Sequence, residues 1–260
     1  MREHRQSAQT GPCVVVALDS PNLEQALRLV GELHPLPCWY KVGCQLFAQH
    51  GRRAVDELVK RRHDVFVDLK VNGHPATDYA LGQDIATWDV RLVDIHLSLG
   101  EEAIQEFLRG LGSRENRTKV LGVTVLTSHA DVSTLGLQGD RHETVLRLAG
   151  FARRMGLDGV VAAAADVRYI KERYKDFLVV TPGIRPSGSP AHEQRHVATP
   201  SEATKAGADF LVIGRPITKA KAGDPREALR AILEEVKAAA SDPAACERSD
   251  MPRPLAATSV

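Results

Sequence analysis

The chain has 260 residues, 43% hydrophobic and 26% charged, the balance of a soluble globular protein with enough apolar side chain for a large core. Lys and Arg number 34 against 33 Asp and Glu, and the formal net charge of +1 argues against nucleic acid as the main partner, although a small basic pocket would not show in that sum. No apolar run reaches the roughly 20 residues of a bilayer span. The opening MREHRQSAQTGP lacks the apolar stretch of a secretion signal. Cys13, Cys38, Cys44 and Cys246 form no CxxC pair and no metal-ligand spacing with histidine, so a reduced, cytoplasmic protein with no metal is expected.

Residues 1–11 and 240–260 are polar or rich in Ala, Ser and Pro without apolar periodicity, and are expected to be flexible tails around one domain over 12–239. The first apolar run is CVVVAL (13–18), and behind the cap candidate Asn22 a helix pattern follows through Leu23, Ala26, Leu27, Val30 and Leu33. Further runs are CWYKVG (38–43), DVFVDL (64–69), RLVDIHL (91–97), KVLGVTVL (119–126), DGVVAAA (158–164), FLVVTP (177–182) and DFLVIG (209–214). They are short, β-branched and bounded by polar residues, Gly or Pro, as buried parallel strands should be. The last helix pattern, Ala228, Leu229, Ile232, Leu233 and Val236, follows Pro225 at a first turn. Arg pairs at 52–53, 61–62 and 153–154 read as solvated outer faces of helices, and Cys13, Cys38 and Cys44 as small packing hydrophobes. Eight strands alternating with eight helical intervals give an α/β chain, a single closed (β/α)8 TIM barrel. The alternative, an open doubly wound sheet, usually has a Gly-rich turn after its first strand, and VALDSPNLEQ has no GxGxxG.

A barrel of this kind carries its active site at the C-terminal ends of the strands. Those ends offer Asp19, Lys41, Asp68-Leu69-Lys70, His96, Thr127-Ser128, Thr181 to Arg185, and Gly214-Arg215, while the sixth run ends in small residues, Ala162 to Ala165. Two aspartates and two lysines converging on one mouth suggest a charged catalytic array rather than a chance salt-bridge cluster. Gly214 permits close backbone approach and Arg215 offers a fork of donors, a phosphate site at the usual place after strands seven and eight. The loop 185–198, RPSGSPAHEQRHVA, either folds over a ligand or is an ordinary loop. His96 reads as a satisfied second-layer histidine or, less simply, a catalytic one.

Taken in order, VALD (16–19), KVGCQLF (41–47), DLKxxxxPxT (68–77), VTVLTS (123–128), LDGVV (157–161), VTPGIRP (180–186), QRHVATP (194–200) and GADFLVIGRPIT (207–218) resemble the bacterial branch of the orotidine 5′-monophosphate decarboxylase family. The resemblance implies a homodimer with shared active sites that converts a pyrimidine nucleotide monophosphate, orotidine monophosphate, to uridine monophosphate without cofactor or metal. It implies that Asp19 and Lys41 hold the ribose and that Lys41, Asp68 and Lys70 surround the substrate carboxylate, with Lys70 protonating C6. It further implies that Thr127 and Ser128 border the base with Pro182 in the same substrate-binding set, that Thr77 reaches in from the second subunit, and that Arg185, Gln194, Gly214 and Arg215 bind phosphate.

One motif departs from the family pattern Asp-x-Lys-x-x-Asp-Ile-Pro. The chain reads Asp68-Leu69-Lys70-Val71-Asn72-Gly73-His74-Pro75, so that Gly73 replaces the second aspartate and His74 the isoleucine. Counting Lys41, Asp68 and Lys70 alone gives a net charge of +1, which should make the charged form of Lys70 less favourable. His74 either adds a titratable donor or points outward. Three readings follow: a decarboxylase that tolerates the change, a diverged enzyme on a related phosphorylated nucleotide or analogue, or a catalytically silent nucleotide-binding protein. The intact Lys41, Asp68 and Lys70 disfavour the third.

Overall fold

A computed structural model describes residues 11–113, 118–126, 139–187, 197–220 and 223–242. The tail expectations fall almost wholly on residues 1–10 and 243–260, outside that set. The eight apolar runs form β1 (Cys13–Ala17), β2 (Trp39–Gly43), β3 (Val65–Val71), β4 (Leu92–His96), β5 (Lys119–Val123), β6 (Gly159–Val161), β7 (Leu178–Thr181) and β8 (Phe210–Ile213). All pair in parallel and in sequence order, and β8 returns to β1 through Cys13 opposite Phe210, closing the barrel.

The helices are α1 (Leu23–Leu33), α2 (Cys44–His50), α3 (Arg52–Lys60), α4 (Pro75–Ala86), α5 (Glu101–Leu111), α6 (Arg141–Arg154), α7 (Ala164–Arg173), α8 (Pro200–Lys205), α9 (Arg215–Thr218) and α10 (Pro225–Ala240). Asn22 caps α1, its side chain accepting the Gln25 N–H at 2.9 Å, and Pro225 opens α10 behind the cap Asp224. Leu23, Ala26, Val30 and Leu33 of α1 are buried, as are Leu229, Ile232 and Val236 of α10.

Three local readings are corrected. The interval after β2 holds two helices, because Gly51, at φ +53°, ends α2 and starts α3. Arg61 and Arg62 lie past the end of α3, with Arg62 at φ +63°, rather than on its face. The third strand runs to Val71 instead of ending at 69, with a register shift against β4 between Val67 and Val71.

Strand alternation sorts the core into two layers. Val15, Ala17, Phe66, Leu92, Leu121, Val180, Phe210 and Val212 fill the barrel, while Val14, Val16, Val42, Val67, Val93 and their equivalents meet the helices. The inward rows continue upward past this plug, and what they place above it is polar.

Candidate active site

Asp19 follows inward-facing Ala17, Lys41 follows Trp39, and Asp68 and Lys70 follow Phe66 on the same row of β3. Together they line a cavity of about 590 Å³ at the C-terminal mouth, within the usual size for a small-molecule site. Lys41 Nζ lies 3.0 Å from Asp19 Oδ1 and 3.0 Å from Asp68 Oδ2, and the other oxygen of Asp68 takes Lys70 Nζ. The four side chains therefore form one alternating row, Asp19–Lys41–Asp68–Lys70.

Its electrostatics follow from that order. Burial opposes the charge on Lys41, but Asp68 and Asp19 outweigh it and hold the ammonium well above the ordinary lysine value. Burial likewise opposes ionisation of Asp68, and the two flanking ammonium groups overcome it, pulling the carboxyl well below 3.8. Lys70 is raised above 10.5: burial works against it, and Asp68 and then Asp94 more than compensate. This corrects the net +1 count and the expectation of a disfavoured Lys70 charge. Asp19 belongs to the row, so two lysines face two carboxylates and the row is formally neutral.

Gly43 makes the row possible. A Cβ there would stand 2.9 Å from Lys41 Nζ and 3.2 Å from Asp19 Oδ1. Because Lys41 is held from both sides, the ammonium has nowhere to retreat. Gly43→Ala is expected to lower kcat/KM about tenfold with the fold intact, checked by steady-state kinetics beside a thermal melt.

The same cavity is lined, from the ends of β7 and β8, by Pro182, Gly183, Arg185, Gly214 and Arg215. Arg185 is buried, its N–H bonded to Ala198 O at 2.8 Å and its Nη1 to the Ile184 carbonyl at 2.7 Å. Arg215 opens α9 directly after β8. This places cationic donors after β7 and β8, beside the Asp19 end of the row, since β8 adjoins β1 and a Cβ on Gly214 would stand 3.6 Å from Asp19 Oδ2. Val161 and Ala162 line the side from β6, where the small residues leave room.

Other expected site residues lie elsewhere. Thr127, Ser128 and Gln194 are outside the described residues. Gly73, His74 and Thr77 sit exposed on the turn into α4 and its first turn, not on the cavity wall of their own chain. His74 is the N-cap of α4 without a side-chain capping bond, which favours its outward reading. His96 ends β4, bonds through Nδ1 to Ser98 Oγ at 2.8 Å, and is pushed down by burial and by Lys70, so it is neutral near pH 7. Cys44 is exposed at the cavity mouth rather than packed as a hydrophobe, because Gly43 turns the chain into α2 at that point.

Two carboxyl groups were missed. Asp94, in the middle of β4, is 1% exposed and lies beneath Asp68 and Lys70. The signal was available: a charged residue between Leu92 and His96 on the inward row of an otherwise apolar strand. Asp78, in the first turns of α4, is 1% exposed and takes the Gly73 N–H, and its Oδ1 lies 2.5 Å from where a Cβ on Gly73 would stand. Nothing in sequence spacing pointed to it.

A model described as the Orotidine 5'-phosphate decarboxylase / HUMPS family matches residues 12–232. An orotidine 5'-phosphate decarboxylase of Halorhodospira halophila is 42% identical over 231 residues, 88% of this chain and 97% of that protein. One from Pseudomonas putida is 40% identical over 227 residues, 86% of this chain and 97% of that protein. The crystal structure of orotidine 5'-phosphate decarboxylase from Lactobacillus acidophilus superposes with a TM-score of 0.73 at 35% identity, covering 87% of this chain and 99% of that one.

Proposed function

The chain belongs to the orotidine 5'-phosphate decarboxylase / HUMPS family, and from that membership we propose that it decarboxylates orotidine 5′-monophosphate to uridine 5′-monophosphate. The observation that carries the reading is one cavity lined by both the Asp19–Lys41–Asp68–Lys70 row and the cations Arg185 and Arg215. In this reading Arg185, Gln194, Gly214 and Arg215 hold the phosphate. Asp19 and Lys41 hold the ribose hydroxyls, and Pro182, Thr127 and Ser128 bound the base.

Chemistry then falls to Lys70. The bond from C6 to the carboxylate breaks, carbon dioxide leaves, and the electron pair stays on C6. A fixed ammonium stabilises the developing charge and delivers its proton to the carbon; solvent returns a proton to the neutral amine. No cofactor is needed as an electron sink in this scheme. Asp68, kept ionised by its two lysines, faces the substrate carboxylate and holds Lys70 in place. Binding at the distant phosphate keeps the ring against the row. We assign a homodimer in which Thr77, exposed on its own chain, serves the partner's site.

Purified protein mixed with orotidine monophosphate should lose the substrate's ultraviolet absorbance and yield uridine monophosphate by mass spectrometry. No conversion with uridine monophosphate still bound would favour instead a diverged enzyme on a related nucleotide, the reading motivated by Gly73.

The row also sets the pH profile. The depressed Asp68 stays ionised below 3.8 and the raised Lys70 stays charged above 10.5. The kcat is therefore expected to be flat from about pH 5 to about pH 9, with limbs only outside that range. KM alone should rise below about pH 6, where the substrate phosphate dianion takes up a proton and loses half its charge. A limb in kcat between pH 6 and pH 8 would assign the rate to other groups.

A further inference from the structure

The decarboxylation scheme leaves the buried carboxyl of Asp94, beneath the Asp68–Lys70 pair, without a task. Asp94 Oδ1 accepts the main-chain N–H of Lys70 at 2.8 Å, and its side chain is hydrogen-bonded to Asp68. The strand above it is irregular at the same point. Lys70 stands at φ +48°, in the left-handed region that side-chain-bearing residues rarely adopt, and β3 slips against β4 between Val67 and Val71. A bulge removes a backbone N–H from the ladder, and a buried N–H left without an acceptor is costly. The structure gives that N–H to the Asp94 carboxyl.

The contact with Asp68 fixes the protonation. Two carboxyl groups in one hydrogen bond hold a proton between them, since two adjacent charges cannot both persist. Asp68 faces both ammonium groups, so it keeps the charge, and Asp94 keeps the proton and donates it to Asp68.

We propose that Asp94 is the positioning residue of this site: it accepts the N–H of the bulged Lys70 and donates to Asp68, and so fixes the Asp68–Lys70 pair without adding charge. This rests on the decarboxylase reading for its consequence in turnover, but its geometry is testable apart from it. The role explains why a carboxyl can occupy the middle of a barrel strand. An acceptor and a donor are both needed there, and a protonated aspartate offers both within one short side chain.

The test compares Asp94→Asn with Asp94→Ala in the full chain. Asparagine keeps a carbonyl for Lys70 and an N–H for Asp68, so its kcat should stay within about threefold of the parent with an unchanged pH profile. Alanine loses both bonds and should lower kcat on the order of 10- to 100-fold while KM and uridine monophosphate affinity move little. Hydrogen exchange of the Lys70 amide reads the geometry directly: protected in the parent and in Asp94→Asn, at least about tenfold faster in Asp94→Ala. Asp94→Asn as damaging as Asp94→Ala would overturn the proposal, as would an unchanged Lys70 amide in Asp94→Ala. If the parent itself fails to decarboxylate, the function assigned above fails, and the exchange pattern alone decides the role of Asp94.

Discussion

Lys70→Ala is expected to lower kcat for orotidine monophosphate by on the order of 10⁴-fold or more, with uridine monophosphate binding nearly unchanged. Two losses combine. Positioned proton transfer contributes about 10²–10⁴-fold, and a preorganised charge beside the developing carbanion adds a further factor of about 10²–10³. They overlap because one ammonium supplies both, so the loss falls at the lower combined figure. Binding survives because the phosphate donors Arg185 and Arg215 follow β7 and β8, at the Asp19 end of the row, while Lys70 stands on β3. Lys70→Arg should not rescue: a planar guanidinium gives up its proton far less readily and does not fit the place where Lys70 Nζ meets Asp68. Single-turnover absorbance decay and calorimetric titration with uridine monophosphate separate the two effects. Retention of more than about one-tenth of the parent kcat in Lys70→Ala would place the proton donor elsewhere.

What could be read from the sequence and what could not divides along a physical line. The barrel was legible because buried parallel strands must be apolar on both faces, and runs such as CVVVAL and DFLVIG show that without knowledge of partners. Asp19, Lys41, Asp68, Lys70, Arg185 and Arg215 were legible because the fold itself says where strands end and why polar groups belong there. Asp94 shows in the sequence only as a lone charge on an apolar strand, and it takes the closed register to show that its row runs beneath the catalytic pair. The length of β3 was misread for a related reason. The apolar run stops at Leu69, yet the bulge carries the strand on through Lys70 to Val71, and at the bulge the Lys70 N–H is taken by an acceptor 24 residues away. The charge of the array was miscounted because spacing does not reveal that Asp19 pairs with Lys41 directly, across β1 and β2.

Restoring an aspartate at position 73 should damage this chain rather than improve it. Gly73 has room for no side chain: its Cβ would meet Asp78 Oδ1 at 2.5 Å and Cγ at 3.3 Å. Asp78 cannot step aside freely, because it is buried, holds the Gly73 N–H, and packs in the first turns of α4 behind Pro75. Its Oδ2 is already without a hydrogen-bond partner among the described residues, and burial has raised its pKa. A second carboxylate at this point adds overlap and like charge together. Gly73→Asp is expected to cost about 3 kcal/mol of stability. It should also lower kcat/KM on the order of 10²-fold, since the displaced turn follows directly from Lys70. The companion variant Gly73→Asp with Asp78→Ala removes the obstruction and should recover most of both losses, whereas Asp78→Ala alone frees the turn and gains nothing. Denaturant melts and steady-state decarboxylation on the four proteins of this cycle give the coupling directly. Independent, additive effects of the two substitutions would sink the pairing, and a single Gly73→Asp variant faster than the parent would show that the glycine is a catalytic loss rather than half of a matched pair.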